Sequence, residues 1–399
     1  MSWDKVKLAD CCLSISDGDH QPPPKAVSGV PFVTIANINK SNQFDFSDTM
    51  FVPKDYYDRL DLKRKAQVGD ILYSVVGSFG IPVLIKEERP FVFQRHIAIL
   101  RPNERINSAF LYYTMLSRDF YAKADAAAIG AAQRTVSLTS LRGMEIELPP
   151  LKVQEAIASK LSVYDNLIEN NQKQIKLLEE AARRLYKEWF VNFRFPGYED
   201  TPIVDGVPEG WEEAPIDSRI SLLSGYAFKS AQFDSSGEYK IVTIKNVKDG
   251  EFDGINTNRI VSIPGKTPKH CVLTDGDILL SLTGNVGRTC IVNGNNYLLN
   301  QRVAKLQSDI PAFTYCLFRS SDMFDAMNNL ANGTAQQNLS PIRTGKISIL
   351  FPADNLLEEF ERIVGSMISK MLSLIKQCDL LIQARDRLLP KLISGEIEV

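Results

Sequence analysis

The sequence predicts an α/β, mixed α+β, protein. It would have two globular heads joined by two long antiparallel coiled-coil helices, internally duplicated with pseudo-two-fold symmetry. Three observations lead there. Segments of the first half recur in the second about 207 residues later, β-rich runs broken by Gly and Pro fill each copy, and each copy closes on a heptad-spaced apolar stretch. The expected order is a head over 1–152, a helix over 153–195, a second head over 196–355, and a second helix with its tail over 356–399.

The duplication is read from matched runs. VTIANIN from Val33 matches VTIKNVK from Val242, and VGDILYSVVGSFG (Val68–Gly80) matches TDGDILLSLTGNVG (Thr274–Gly287). Asp70 then falls on Asp277 and Gly80 on Gly287. Gln94-Arg95 of FQRHIAIL falls on Gln301-Arg302 of NQRVAKLQ, with the runs one residue out of frame. GAAQRTVS (Gly130–Ser137) matches GTAQQNLS (Gly333–Ser340), while Trp3-Asp4 and Trp211-Glu212 open the two copies. Within the heads, ILYSVV, IPVLI and FVFQRHIAIL read as strands, as do ILLSLT, RTCIV and LLNQRVAKL; AFLYYTMLSRDFYAKAD reads as helix.

Each helix is expected from its seam. Ile157, Leu161, Tyr164, Ile168, Asn171, Ile175, Leu178, Ala182, Leu185 and Trp189 alternate steps of four and three. The second seam repeats them as Phe360, Val364, Met367, Met371, Leu374, Cys378, Leu381, Arg385, Leu388 and Leu392, with Arg385 the odd member. Asn171 would be costly against a Leu and suits a register-setting role. Gly365 and Pro390 weaken the second helix, Pro390 near its end. A helix from Val153 to Phe190 would span roughly 57 Å at 1.5 Å per residue.

Composition narrows the function. A chain of 399 residues exceeds one ordinary core, and 44% hydrophobic with 24% charged residues is a globular balance. No apolar run would span a bilayer and the start is charged, so a cytoplasmic location without a membrane partner is expected. Six scattered cysteines without a C-x-x-C pair argue against a zinc ribbon. His20, His96 and His270 are the only histidines and have no copy-to-copy partner, so neither a metal site nor a His-based triad is expected. The chain reads as non-catalytic. Its net charge of −2 does not favour nucleic acid, and no segment is strongly basic. If the protein meets DNA, folding must gather charge locally or partners must supply it.

Two similar but non-identical heads on a rigid spacer suit a split target on a long polymer, such as DNA half-sites about 34–36 Å apart. A scaffold joining two protein-binding domains suits the same geometry equally. The loops holding Ser78 (Gly77–Gly80) and Asn285 (Gly284–Gly287) follow strands and could bring backbone N–H groups to phosphates; a plain hairpin turn is the simpler reading. Gln94, Arg95, Gln301 and Arg302 are types that read base edges. Since both copies share them, scaffold or phosphate roles fit better. Unshared loops are the candidates for sequence reading: His20, Gln21 and Lys25 against Tyr226 and Lys229, and Gln133 and Arg134 against Gln336, Gln337 and Asn338. For any one of these, a solvated loop is the bland alternative.

Taken in order, GVPEGWE (206–212), SGYAFKSAQF (Ser224–Phe233), GDILLSLTGNVG, AQQNLSPIRTGKISILFP, LYKEWFVNFRFPG (Leu185–Gly197) and LLPKLISGEIEV give the whole chain a likeness. It resembles the specificity subunit of a type I restriction-modification enzyme. The resemblance implies that each head is a target-recognition domain reading one half of an asymmetric double-stranded DNA site. It implies that the helices set the unread spacer and help recruit two modification subunits, which bind S-adenosylmethionine and methylate adenine N6. Two restriction subunits would add ATP- and Mg-dependent translocation and cleavage, leaving this chain without a cofactor. Neither QPPPK nor LPPL supplies the N/D-P-P-Y/F motif of an amino-methyltransferase. ISDGDHQPPP in the first head stands where the second has LLSGYAFKSA, so the heads should read different half-sites. A non-DNA coiled-coil adaptor, or an orphan subunit that no longer assembles, is the alternative.

Overall fold

The computed structural model describes residues 3–20, 22–39, 41–131, 133–331 and 337–399. The chain forms two compact units: Met1–Asn170 with Cys378–Val399, and Asn171–Gln377. Each unit therefore owns one head and one half of each long helix. The cores explain this division. Helix residues Ile157, Ala158, Leu161, Leu389 and Leu392 are buried in one core with Leu8, Tyr73, Leu100 and Phe110 of the first head. Ala182, Tyr186, Trp189, Phe190, Phe360 and Val364 do the same with Leu280, Leu306, Phe313 and Phe351 of the second.

The first head has a four-stranded antiparallel sheet in the order Cys12–Asp17, Ile97–Pro102, Ile71–Ser74, Pro82–Leu84. A smaller sheet orders Met50–Val52, Val30–Val33 and Val92–Phe93, the last two parallel. Asp4–Lys7 closes the head by pairing with Glu145–Leu148. The FVFQRHIAIL run is thus two strands in different sheets, with Gln94-Arg95-His96 as the corner between them. The helical run after it is also divided, into Ser108–Leu116 and Arg118–Ala127. Ser117 makes the break: its backbone is extended, and its hydroxyl accepts from Phe120 N–H at 3.2 Å as an N-cap.

The second head repeats this topology. Ser221–Ser224, Val303–Gln307, Ile278–Ser281 and Thr289–Ile291 form its antiparallel four-stranded sheet in that order. Tyr239–Val242 runs parallel to Tyr297–Leu299 in the smaller sheet, which gains the edge strand Val272–Leu273. Glu212–Pro215 pairs with Ser348–Phe351. The duplication is therefore one of hydrogen-bonded topology as well as sequence.

The long helices are Leu151–Tyr186, continued by a π-helical turn at Lys187–Val191, and Asp354–Ile393, with Pro390 in its last turn. No seam position is exposed. Ile157, Leu161, Ile168, Asn171, Val364, Met371 and Leu374 are buried, while Ile175, Leu178, Leu185, Met367, Leu381 and Leu388 are half-buried. In the first unit Cys378 Sγ lies 3.8 Å from the Ile168 carbonyl and Arg385 pairs with Asp165 at 2.6 Å. In the second, Asn171 donates to Gln377 at 3.5 Å, and Tyr186 packs on Phe360 at a ring separation of 6.3 Å. Residue numbers rise on one helix as they fall on the other in both units, so the helices are antiparallel.

Candidate nucleic-acid interface

Most candidate residues converge at one end of each four-stranded sheet. In the first head, Cys12–Asp17 ends at that edge and leads into Gly18. Gly18 N–H donates to the Ile97 carbonyl (3.1 Å), Asp19 N–H to Phe93 (3.0 Å), and Arg95 N–H returns to Asp19 (3.1 Å). The segment entering the His20 loop is thereby stitched to the Gln94-Arg95 corner. Its neighbour, the Gly77–Gly80 hairpin, turns on positive φ angles at both glycines. Val75 N–H donates to His96 (2.9 Å) and Gly77 N–H to Arg134 (2.9 Å), bringing the hairpin and the Gln133-Arg134 loop to the same corner.

The second head repeats these stitches. Gly225 N–H donates to Val303 (3.1 Å), Tyr226 N–H to Leu299 (2.9 Å), and Gln301 N–H to Tyr226 (3.1 Å). Leu282 N–H donates to Arg302 (3.0 Å), and Thr283 bridges Asn338. Ser78, Arg95, Gln133 and Arg134 in one head, and Asn285, Gln301, Arg302, Gln337 and Asn338 in the other, are exposed around the corner; Gln94 and Tyr226 are half-buried. Gln21 and Gln336 lie outside the described residues. Lys25 is attached instead to the smaller sheet, just before Ala26, which bridges Phe51. Lys229 opens the short turn Ser230–Gln232, its N–H meeting Gln232 Oε1 at 3.3 Å.

His20 and Arg134 at the first corner are held rather than loose. His20 Nε2 lies 2.7 Å from Asp17 Oδ2. The Arg134 guanidinium is bonded to Asp125 and sits 5.5 Å over the Phe79 ring, which stacks on Tyr121. An arginine occupied in this way is less free to reorient than an unpaired one. Both glycine loops are tight turns with positive φ at each glycine. What the corner offers is a cluster of Gln, Arg, His and Asn donors and acceptors on exposed loops, the chemistry of base and phosphate contacts.

The family described as the type I restriction modification DNA specificity domain matches residues 2–180 and again 208–367. The chain belongs to that family. As a specificity subunit its role is DNA recognition, and the two matched regions are the two copies read from the sequence. It is 25% identical to the type I restriction enzyme MjaIX specificity subunit of Methanocaldococcus jannaschii over 83% of this chain and 78% of that protein. It is 21% identical to the HindI specificity subunit of Haemophilus influenzae over 99% of both. The crystal structure of a type I restriction-modification S subunit from M. genitalium shares the fold, with a TM-score of 0.56, 16% identity and coverage of 98% and 96%.

Two glycines of this specificity subunit, not among the candidates from sequence, shape the same corner. A Cβ on Gly18 would fall 2.6 Å from the Gln94 carbonyl carbon, and one on Gly225 would fall 2.5 Å from the Leu299 oxygen. Only glycine lets each loop lie this close to the corner. Their separation of 207 residues, the same as that of Asp70 and Asp277, was the available signal. Arg64, 3.8 Å from Asp19, also reaches this region, and nothing in its local sequence marks it.

Proposed function

We propose that each head reads one half of a bipartite, asymmetric DNA site, with the paired helices setting the unread spacer. The observation that carries this reading is that loops differing between the heads meet backbone corners that are shared. A common frame holding different side chains is what two related readers of different half-sites require. The helices further serve to recruit two modification subunits, which methylate adenine N6 with S-adenosylmethionine. Two restriction subunits supply ATP- and Mg-dependent cleavage. The chain itself positions DNA and performs no chemistry, and it works in the cytoplasm. Among the described residues no helix is long and apolar enough to cross a membrane. Partner subunits closing round the duplex would supply positive field that this chain, at net charge −2, lacks.

The test is to co-express the chain with its modification subunit and map N6-methyladenine across the host genome. A single split motif is expected, each half changing when its own head is exchanged. A stable complex with an active modification subunit but an unmethylated genome would sink DNA recognition and leave a non-DNA adaptor.

A further inference from the structure

The chain has three histidines, and two of them are anchored at corresponding places in the two heads although they do not correspond in sequence. Asp17 and Ser224 each end the first strand of a four-stranded sheet, each lies opposite an alanine (Ala98 and Ala304), and each precedes the close-approach glycine. In the first head, His20 Nε2 is 2.7 Å from the Asp17 carboxylate. In the second, His270 enters from another loop, the short turn Lys269–Cys271, and its Nε2 is 2.9 Å from the Ser224 carbonyl. His20 and its carboxylate are 50% and 22% exposed, and His270 is half-buried, so neither ring is a core residue.

The partners decide the tautomer. An ionised carboxylate and a backbone carbonyl can only accept, so Nε2 carries the hydrogen in both rings. Whenever the ring is neutral, Nδ1 is then a hydrogen-bond acceptor. A ring held by a hydrogen bond at one nitrogen presents the other in a defined direction. In the DNA major groove, the groups that such an acceptor recognises are the exocyclic amines, adenine N6 and cytosine N4.

We propose that His20 and His270 are specificity-determining residues, one in each head, and that each accepts through Nδ1 from an adenine or cytosine amine in its own half-site. Asp17 is a positioning residue acting through His20. The proposal rests on the DNA-reading function above and deepens it by naming the base chemistry and the residue in each head.

The experiment uses the full chain in complex with its modification subunit and reads the methylated motif genome-wide. His20→Ala is expected to relax one adenine or cytosine position of the first half-site by at least tenfold, leaving the second half-site intact; His270→Ala should do the converse. Asp17→Ala should loosen the same position as His20→Ala, by a smaller factor. His20→Asn, which can return an acceptor near the Nδ1 position, should recover part of the preference. The proposal is overturned if both variants methylate the unchanged motif, or if methylation falls evenly at every site with no position relaxed. It is equally overturned if the relaxed position is a guanine or thymine. Absence of any split motif in the wild-type complex would instead overturn the DNA-reading function, so the two failures are distinct.

Discussion

Arg385 Nη1 bonds Asp165 Oδ1 at 2.6 Å, joining the two long helices within the first unit at a place where the second seam otherwise asks for an apolar residue. Both side chains are largely buried, and the Tyr113 hydroxyl donates to the other Asp165 oxygen at 2.7 Å. Burial opposes the Arg385 charge, and the Asp165 and Asp386 carboxylates more than offset it, so its pKa is raised. Removing Arg385 leaves the buried Asp165 charge with only the Tyr113 hydroxyl, and removing Asp165 leaves the buried Arg385 with only the more exposed Asp386 carboxylate. Asp165→Asn and Arg385→Met should each destabilise the first unit by about 3 kcal/mol. The double variant should recover most of that loss, since a buried ion pair gains little over a neutral pair. Urea denaturation of the four proteins gives the coupling directly; additive losses would contradict it.

Glu361 ties the second long helix to the second head. Its carboxylate accepts from Ala312 N–H (2.9 Å) and Phe313 N–H (2.7 Å), capping the head helix Pro311–Phe318. Burial nevertheless raises its pKa above the usual 4.5, outweighing those hydrogen bonds. The folded state therefore holds this proton more tightly than the unfolded chain, and the group subtracts stability as pH rises above 4.5 until it is fully ionised in the fold. Glu361→Gln should remove that dependence. The stability of wild type relative to the variant should fall between pH 4.5 and neutrality, as measured by thermal unfolding at stepped pH.

The aromatic contacts of Phe360 predict a larger effect. Its ring lies 4.8 Å from Phe190, 5.8 Å from Trp189 and 6.3 Å from Tyr186, and it is fully buried. Phe360→Ala should cost about 3–5 kcal/mol and loosen both helices from the second head. The near-ultraviolet circular dichroism of the tryptophans should weaken with it, and an unchanged spectrum would contradict the assignment.

Much of this architecture is legible in the sequence because the information is local or repeated. A heptad seam needs only spacing, and the duplication needs only matched runs such as GDILYS and GDILLS. What escaped has long sequence separation. His270 reaches Ser224 from 46 residues away, so the alignment that pairs His96 with Val303 shows no kinship between His20 and His270. Nor does linear order reveal that each helix is divided between two cores. That follows from Leu389 and Leu392, nearly at the end of the chain, being buried with Leu8 near its beginning. The splitting of FVFQRHIAIL is illegible for a different reason: apolar strands on either side of a polar corner have the same composition as one long strand.

The close-approach glycines allow each half of the recognition to be perturbed alone. In the second head Gly225 is held from both sides, its own N–H on Val303 and the next on Leu299, so an added methyl cannot be relieved by rotation of the loop. It would lie 2.3 Å from the Asn300 carbonyl oxygen, a clash with backbone that forces the Tyr226 loop away from the corner. Gly18 stands in the same relation to Phe93 and Gln94. Base contacts tolerate little such displacement, since a bidentate pair contributes about 1–3 kcal/mol only in good geometry. Gly225→Ala should therefore lower discrimination in the second half-site about tenfold or more while the first half-site is read normally, and Gly18→Ala should give the mirror result. Gly143→Ala and Gly265→Ala, where a methyl meets nothing within 4 Å, are the matched controls and should leave the motif unchanged. If Gly225→Ala weakens both halves equally, the loop is stabilising the whole subunit and the corner is not where the second half-site is read.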